Sequence, residues 1–89
     1  SDLGKFDQAL EQYRRAAEAQ PDRWALQYNL GAAAYRAGQY ADAAQAFERA
    51  LSTQDENLQA RARYNLGNAR YRLGEQAEQT PLASSDLHM

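Results

Sequence analysis

The residue types that catalyse reactions or bind metals are scarce in this 89-residue chain. It has no cysteine, and its single histidine, His88, lies in a polar C-terminal stretch without a partner nearby in sequence. A metal site would depend on carboxylates alone, and the pair Asp55 and Glu56 is too small to supply the oxygen ligands that hard cations require. The glycines follow no predicted strand, so they indicate turns and helix contacts rather than a phosphate-binding loop. We therefore expect no enzyme, no cofactor and no metal.

Arginine is the one functional residue type that clusters. Arg61, Arg63, Arg70 and Arg72 lie close together, and no acidic residue occurs between positions 58 and 74. Guanidinium groups bind carboxylates through paired, charge-assisted hydrogen bonds. The whole chain has 10 basic and 12 acidic residues and a pI of about 5.3, which does not favour nucleic acid or an anionic membrane. No apolar run approaches the ~18 residues that a membrane span needs.

The elements that position these arginines are predicted to be helices. The sequence contains no valine or isoleucine and is rich in alanine, which favours helix over strand. Apolar residues recur at helical spacing over residues 5–19, 22–37, 40–52 and 57–73. Pro21, Gly38 and Gly74 are predicted to terminate helices, and Asn57 is a possible N-cap. We expect one helical domain over residues 1–79 and a flexible tail over residues 80–89.

An internal repeat relates the two halves of the chain. Residues 3–17 resemble residues 37–51 at an offset of 34, and residues 28–38 resemble residues 64–74 at an offset of 36. The difference predicts a two-residue insertion in the polar segment between Ser52 and Asn57.

The repeated residues resemble the signature of the tetratricopeptide repeat (TPR), which is Trp-x2-Leu-Gly-x2-Tyr, then Ala-x3-Phe, then Pro, in about 34 residues. The matching positions are Leu30-Gly31, Leu66-Gly67, Ala43 with Phe47, Ala9 with Tyr13, and Pro21. The sequence departs from the signature at the Trp positions, Gln27 and Arg63, and at the Tyr positions, Ala34 and Arg70. The resemblance implies an all-α fold, an antiparallel helix-turn-helix TPR solenoid of four helices.

In the frame of this family, the chain holds one complete repeat, from Trp24 to about Asn57, with half a repeat on each side. The run over residues 64–74 also resembles TPR segments of bacterial envelope proteins. The sequence does not decide the compartment, because a chain without cysteine suits the cytoplasm and the periplasm alike.

The resemblance also implies a function, the binding of a protein or peptide partner in a concave groove lined by the first helix of each repeat. The implied groove residues are Tyr28, Asn29, Tyr35, Arg36, Arg61, Tyr64, Asn65, Asn68, Tyr71 and Arg72. Tyrosine rings beside amides and guanidinium groups suit an extended, acidic peptide. In the other interpretation the tyrosines fill space between helices and the arginines are solvated.

A second function class is a structural, self-assembling repeat module. One repeat with two halves falls short of the three or so repeats that such solenoids need. The first helix carries Phe6, Leu10 and Tyr13, which would pack on the helix over residues 58–73 of a second copy and form a homo-oligomer through a composite repeat. Arg63 and Arg70 of that helix would be buried by this contact, which is unfavourable for an unpaired charge.

Overall fold

The computed structural model describes residues 2–79, with side chains from residue 4 onward, as four α-helices without a strand in that range. The helices are α1 (Asp2–Ala19), α2 (Trp24–Arg36), α3 (Tyr40–Ala50) and α4 (Glu56–Gln79). Short connections make successive helices antiparallel neighbours. α2 packs between α1 and α3, and α4 packs on α3 and touches α2. The predicted all-α arrangement of four helices is confirmed, whereas the tail predicted over residues 80–89 lies outside the described residues.

The start of α2 and the end of α3 differ from the prediction because a turn forms just before α2 and just after α3. α2 begins at Trp24 rather than at Asp22, since the amide of Arg23 donates to the carbonyl of Gln20 at 3.1 Å and closes a turn. α3 ends at Ala50 rather than at residue 52, because the next amides bond to carbonyls three residues back; that of Ser52 donates to Arg49 at 3.2 Å.

α4 is longer than predicted at both ends. Its N-cap is Asp55, not Asn57, because the Asp55 carboxylate accepts the amides of Asn57 and Leu58 at 3.0 and 3.2 Å. The helix also continues through Gly74 to Gln79. A glycine within a helix is only about 1 kcal/mol worse than alanine, and the last five residues of α4 are good helix formers.

The core is thin and depends on alanine. Phe47 is the one large side chain in the described range with less than 2% of its surface exposed. Its ring lies directly on Gly31, where an added Cβ would come within 2.7 Å of two ring carbons. Ala43 and Ala50, on either side of the ring in α3, are fully buried. Small residues at these positions let α2 and α3 approach closely.

Leu10 also belongs to this core, with 3% of its surface exposed. The prediction that Leu10 contributes to a self-association surface is therefore wrong, because its side chain packs into the core of its own chain. Phe6 and Tyr13 share the stripe of α1 on which Leu10 lies, at spacings of 4 and 3 residues, but they remain 39% and 37% exposed.

Gln27, at the position where the TPR signature has tryptophan, is a polar residue inside the packing between helices. It is 4% exposed, and its amide donates to the carbonyl of Pro21 at 3.3 Å. Its side-chain oxygen is buried and has no hydrogen-bond partner among the described residues. A buried acceptor without a hydrogen-bond partner lowers the free energy of unfolding.

We predict that Gly31→Ala destabilises the fold, whereas Gly67→Ala does not. The added methyl group at position 31 would meet a buried ring, so we expect a net loss of about 1–2 kcal/mol despite the better helix propensity of alanine. At the equivalent Gly67 an added Cβ meets nothing within 4 Å, so Gly67→Ala should keep the better helix propensity of alanine without a steric cost. Urea unfolding of both variants measures the difference, and equal free energies of unfolding would contradict this account.

We predict that Gln27→Leu raises the free energy of unfolding by about 1 kcal/mol, because it removes the unpaired oxygen and keeps a side chain of similar size. The carbonyl of Pro21 loses a donor, but Pro21 is exposed and water replaces that bond. The control is Gln45→Leu on the exposed side of α3, which should change stability by less than about 0.5 kcal/mol. A loss of stability in Gln27→Leu would mean that the bond to Pro21 matters more.

Candidate functional site

Two side-chain hydrogen bonds join α2 and α4. The side-chain amide of Asn65 donates to the hydroxyl of Tyr28 at 2.9 Å, and Nε of Arg72 donates to the hydroxyl of Tyr35 at 3.3 Å. In both cases the donor lies 37 residues after the acceptor. We call these two bonds the tyrosine ladder. They fix the register of α4 against α2 and form the floor of a groove between these helices.

A cavity of about 190 Å³ lies at this floor. Its lining comprises Tyr28, Ala32, Tyr35, Arg36, Phe47 and Asn65. The tyrosine rings are held in place, because Tyr28 packs against Phe47 with ring centroids 5.5 Å apart and Tyr35 packs edge-on against Tyr40 at 5.1 Å.

One arginine, Arg36, lines the cavity, and two more contact its tyrosines. The guanidinium carbon of Arg61 lies 5.4 Å from the centroid of the Tyr28 ring, which is a cation–π distance. Arg72 pairs with Glu75 at 3.5 Å, and its hydrogen bond to the Tyr35 hydroxyl raises the pKa of Arg72 above its ordinary value. Arg36 is exposed and has no carboxylate within ion-pair distance among the described residues. The groove is therefore positively charged at any physiological pH.

The predicted groove residues fall into two groups. Six are brought together by cavity lining or direct contact: Tyr28, Tyr35, Arg36, Arg61, Asn65 and Arg72. The remaining four, Asn29, Tyr64, Asn68 and Tyr71, contact neither the cavity nor the ladder. Tyr64 and Tyr71 are instead strongly exposed, at 72% and 68%.

Phe47 is a cavity residue that the sequence interpretation assigned only to the family's packing signature. Its ring is buried against Gly31, yet its edge also forms part of the groove floor. The available signal was the Ala-x3-Phe spacing, which places the ring opposite the Leu-Gly pair of α2.

A larger cavity, of about 420 Å³, lies between α1, α2 and α3. It mixes Arg14 and Arg49 with Glu18 and Asp42, so it favours neither sign of charge. Arg14 is also already paired within the chain, with Glu11 at 3.4 Å and Asp42 at 4.0 Å. The smaller cavity is therefore the better candidate, because its one charged lining residue, Arg36, is a cation and Arg61 lies over the ring of Tyr28 in the same lining.

Within residues 2–79, no three histidine, cysteine or acidic side chains are grouped so that they could bind a metal ion. None of the four helices is both long and apolar enough to cross a membrane.

The comparisons with known proteins identify the family. A family model described as the tetratricopeptide repeat matches residues 1–58, which extend from α1 into the first turn of α4. A search of curated proteins gave no significant match. A search of solved structures gave none either. The family match covers more than half of the chain and agrees with its four-helix architecture, so the chain belongs to the tetratricopeptide repeat family of protein-interaction scaffolds.

Proposed function

We propose that this scaffold binds an extended, acidic peptide in the groove between α2 and α4. The observation that carries the proposal is the position of Arg36 and Arg61 beside a cavity floored by fixed tyrosine rings. Neither guanidinium has a carboxylate partner among the described residues, whereas Arg14, Arg15 and Arg70 each form an ion pair within the chain. Two unpaired cations at one rigid cavity favour a ligand that brings its own carboxylates.

The amide of Asn65 supports an extended peptide conformation. Both hydrogens of its Nδ2 have acceptors, the Tyr28 hydroxyl at 2.9 Å and the carbonyl of Arg61 at 3.0 Å. The side-chain oxygen of Asn65 is thereby oriented and remains available as an acceptor. A peptide whose acidic side chains reach Arg36 and Arg61 would donate a backbone N–H to this oxygen, as in other modes of main-chain recognition.

We predict that an acidic peptide binds with micromolar-range affinity and that Arg36→Gln with Arg61→Gln weakens this binding at least about tenfold, since two exposed charge-assisted contacts are lost. Fluorescence anisotropy of a labelled glutamate- and aspartate-rich peptide measures the affinity. Added salt should also weaken binding, because it screens exposed charges.

Arg63→Gln is the matched control for Arg61. Both arginines are exposed on α4, and each replacement removes one positive charge, but Arg63 does not contact the ladder tyrosines. We expect little change in affinity for Arg63→Gln. Equal losses for the two positions would show a diffuse charge effect rather than a groove, and NMR shifts confined to the outer faces of α1 and α3 would also contradict the proposal.

We predict that the affinity is constant from about pH 5.5 to pH 8.5 and falls as the pH decreases through about 4, where the peptide carboxylates become protonated. The groove cations keep their charge over this range, because they are arginines and the pKa of Arg72 is raised, not lowered. Anisotropy titrations across this range are the measurement. An affinity that changes near pH 6–7 would imply a titrating group outside the groove described above.

A further inference from the structure

Four large hydrophobic side chains are exposed within the described part of the chain, and all four are aromatic. They are Phe6 and Tyr13 on α1, at 39% and 37%, and Tyr64 and Tyr71 on α4, at 72% and 68%. Each helix carries its two rings seven residues apart, which places them on one face. Exposed aromatic pairs of this kind are characteristic of interaction surfaces.

The contact between α2 and α3 shows what such rings do when they are covered. Tyr28 of α2 packs against Phe47 of α3, and Tyr35 of α2 packs against Tyr40 of α3, with ring centroids 5.5 and 5.1 Å apart. These two ring pairs lie seven residues apart on each helix and hold the hairpin together.

In the internal repeat, the four exposed rings are the counterparts of the four rings that pair between α2 and α3. α4 repeats α2 at an offset of 36, so Tyr64 and Tyr71 occupy the places of the two α2 tyrosines. α1 repeats α3 at an offset of 34, so Tyr13 and Phe6 occupy the places of the two α3 rings. If α1 of a second copy packed on α4 as α3 packs on α2, it would pair Tyr64 with Tyr13 and Tyr71 with Phe6.

Gly31 and its repeat counterpart Gly67 differ in the same way, because one is covered by a ring and the other is not. Gly31 is covered by the ring of Phe47, which leaves no room for a Cβ. Its counterpart in α4, Gly67, is open, with nothing within 4 Å of an added Cβ. Tyr13 is the counterpart of Phe47, so Tyr13 of a second copy packed on Gly67 would repeat the contact of Phe47 with Gly31.

The donors and acceptors of the tyrosine ladder also have repeat counterparts that form no such bond within the chain. Its donors in α4, Asn65 and Arg72, correspond to Asn29 and Arg36 in α2, which are exposed and donate to no side chain among the described residues. The acceptors in α2 correspond to the exposed tyrosines of α4. A second copy with α1 on α4 would bring its own α2 beside α4, where these donors and acceptors meet.

From these three correspondences we propose that the chain associates head to tail, with α1 and α2 of one copy packing on α4 of the next. The proposal does not depend on which peptide the groove binds. Because the contact is heterologous, it propagates into a filament or closes into a ring, and mutual exchange gives a closed dimer. Each added copy also lengthens the groove.

The junction is not an exact copy of the internal contact, and this limits its strength. Gln27 and Ala34 of α2 are both buried, whereas α4 has Arg63 and Arg70 at the corresponding positions. Arg70 is drawn aside by its ion pair with Glu48 at 2.8 Å. Two long cations at the junction weaken association, so we expect it at high rather than low protein concentration.

The test uses two complementary variants of the full chain in sedimentation equilibrium. Phe6→Ser with Tyr13→Ser removes the α1 half of the junction, and Tyr64→Ser with Tyr71→Ser removes the α4 half. We expect the average mass of the wild type to rise with concentration, and each variant alone to remain at the 10.0 kDa of one chain. An equimolar mixture should form a 1:1 heterodimer and stop there, because it retains one intact junction.

Other outcomes overturn the proposal. A wild type that is monomeric at all concentrations excludes the junction, and so does a mixture that stays monomeric. If the α4 variant still dimerises while the α1 variant does not, the exposed α1 rings pair with each other instead. Circular dichroism checks that both variants are folded.

A second pair of variants keeps the test decisive if a double variant unfolds. Gly67→Ala should abolish association while leaving the fold intact, since the added methyl group fills only the space that Tyr13 of a second copy would occupy. Gly74→Ala is the matched control in the same helix. It corresponds to Gly38, where an added Cβ meets nothing within 4 Å, so it should associate like the wild type. Equal association of the two variants would overturn the proposal.

Discussion

The contact between the ring of Phe47 and the backbone of Gly31 is the constraint on which the rest of the structure depends. It sets the separation of α2 and α3, and the ring is the largest side chain that the core encloses. Alanines complete the packing, so the chain obtains its stability from close helix approach rather than from a large apolar volume. The same ring supports Tyr28, so the groove floor takes its rigidity from the core contact.

Much of the fold was predictable because helical spacing and the internal repeat are local properties of the sequence. The errors fall at helix ends. Gly38 terminates α2 with a positive φ of 78°, whereas Gly74, at the equivalent position, lies within a helix. The two glycines differ in their C-terminal neighbours: Tyr40 packs against Tyr35 after a tight turn, while good helix formers come directly after Gly74. Asp55 and Asn57 are both suitable caps by type, and only the hydrogen-bond geometry distinguishes them.

The candidate site was predictable in part. Helical geometry and the family resemblance together put Tyr28, Tyr35 and Arg36 on one stripe, but no single-helix pattern reveals which positions of α4 reach the α2 rings. The donors lie 37 residues after their acceptors although the repeat offset is 36, because the two helices touch through non-equivalent faces. Asn65 and Arg72, rather than Tyr64 and Tyr71, therefore bond to the α2 tyrosines. Pairing between helices is a long-range property, and the sequence pattern of either helix alone does not contain it.

The connection between α3 and α4 has a consequence for how the chain can change length. Thr53 and Asp55 satisfy its backbone locally, since the Thr53 hydroxyl accepts the amide of Asp55 at 3.1 Å and the Asp55 carboxylate caps α4. The position of α4 is determined elsewhere, by its packing on α3 and by its bonds to the tyrosines of α2. Insertions and deletions in this connection therefore leave the spacing between successive helix pairs unchanged. Two chains with different repeat lengths in sequence can keep the same superhelical pitch, provided that the turn remains self-contained.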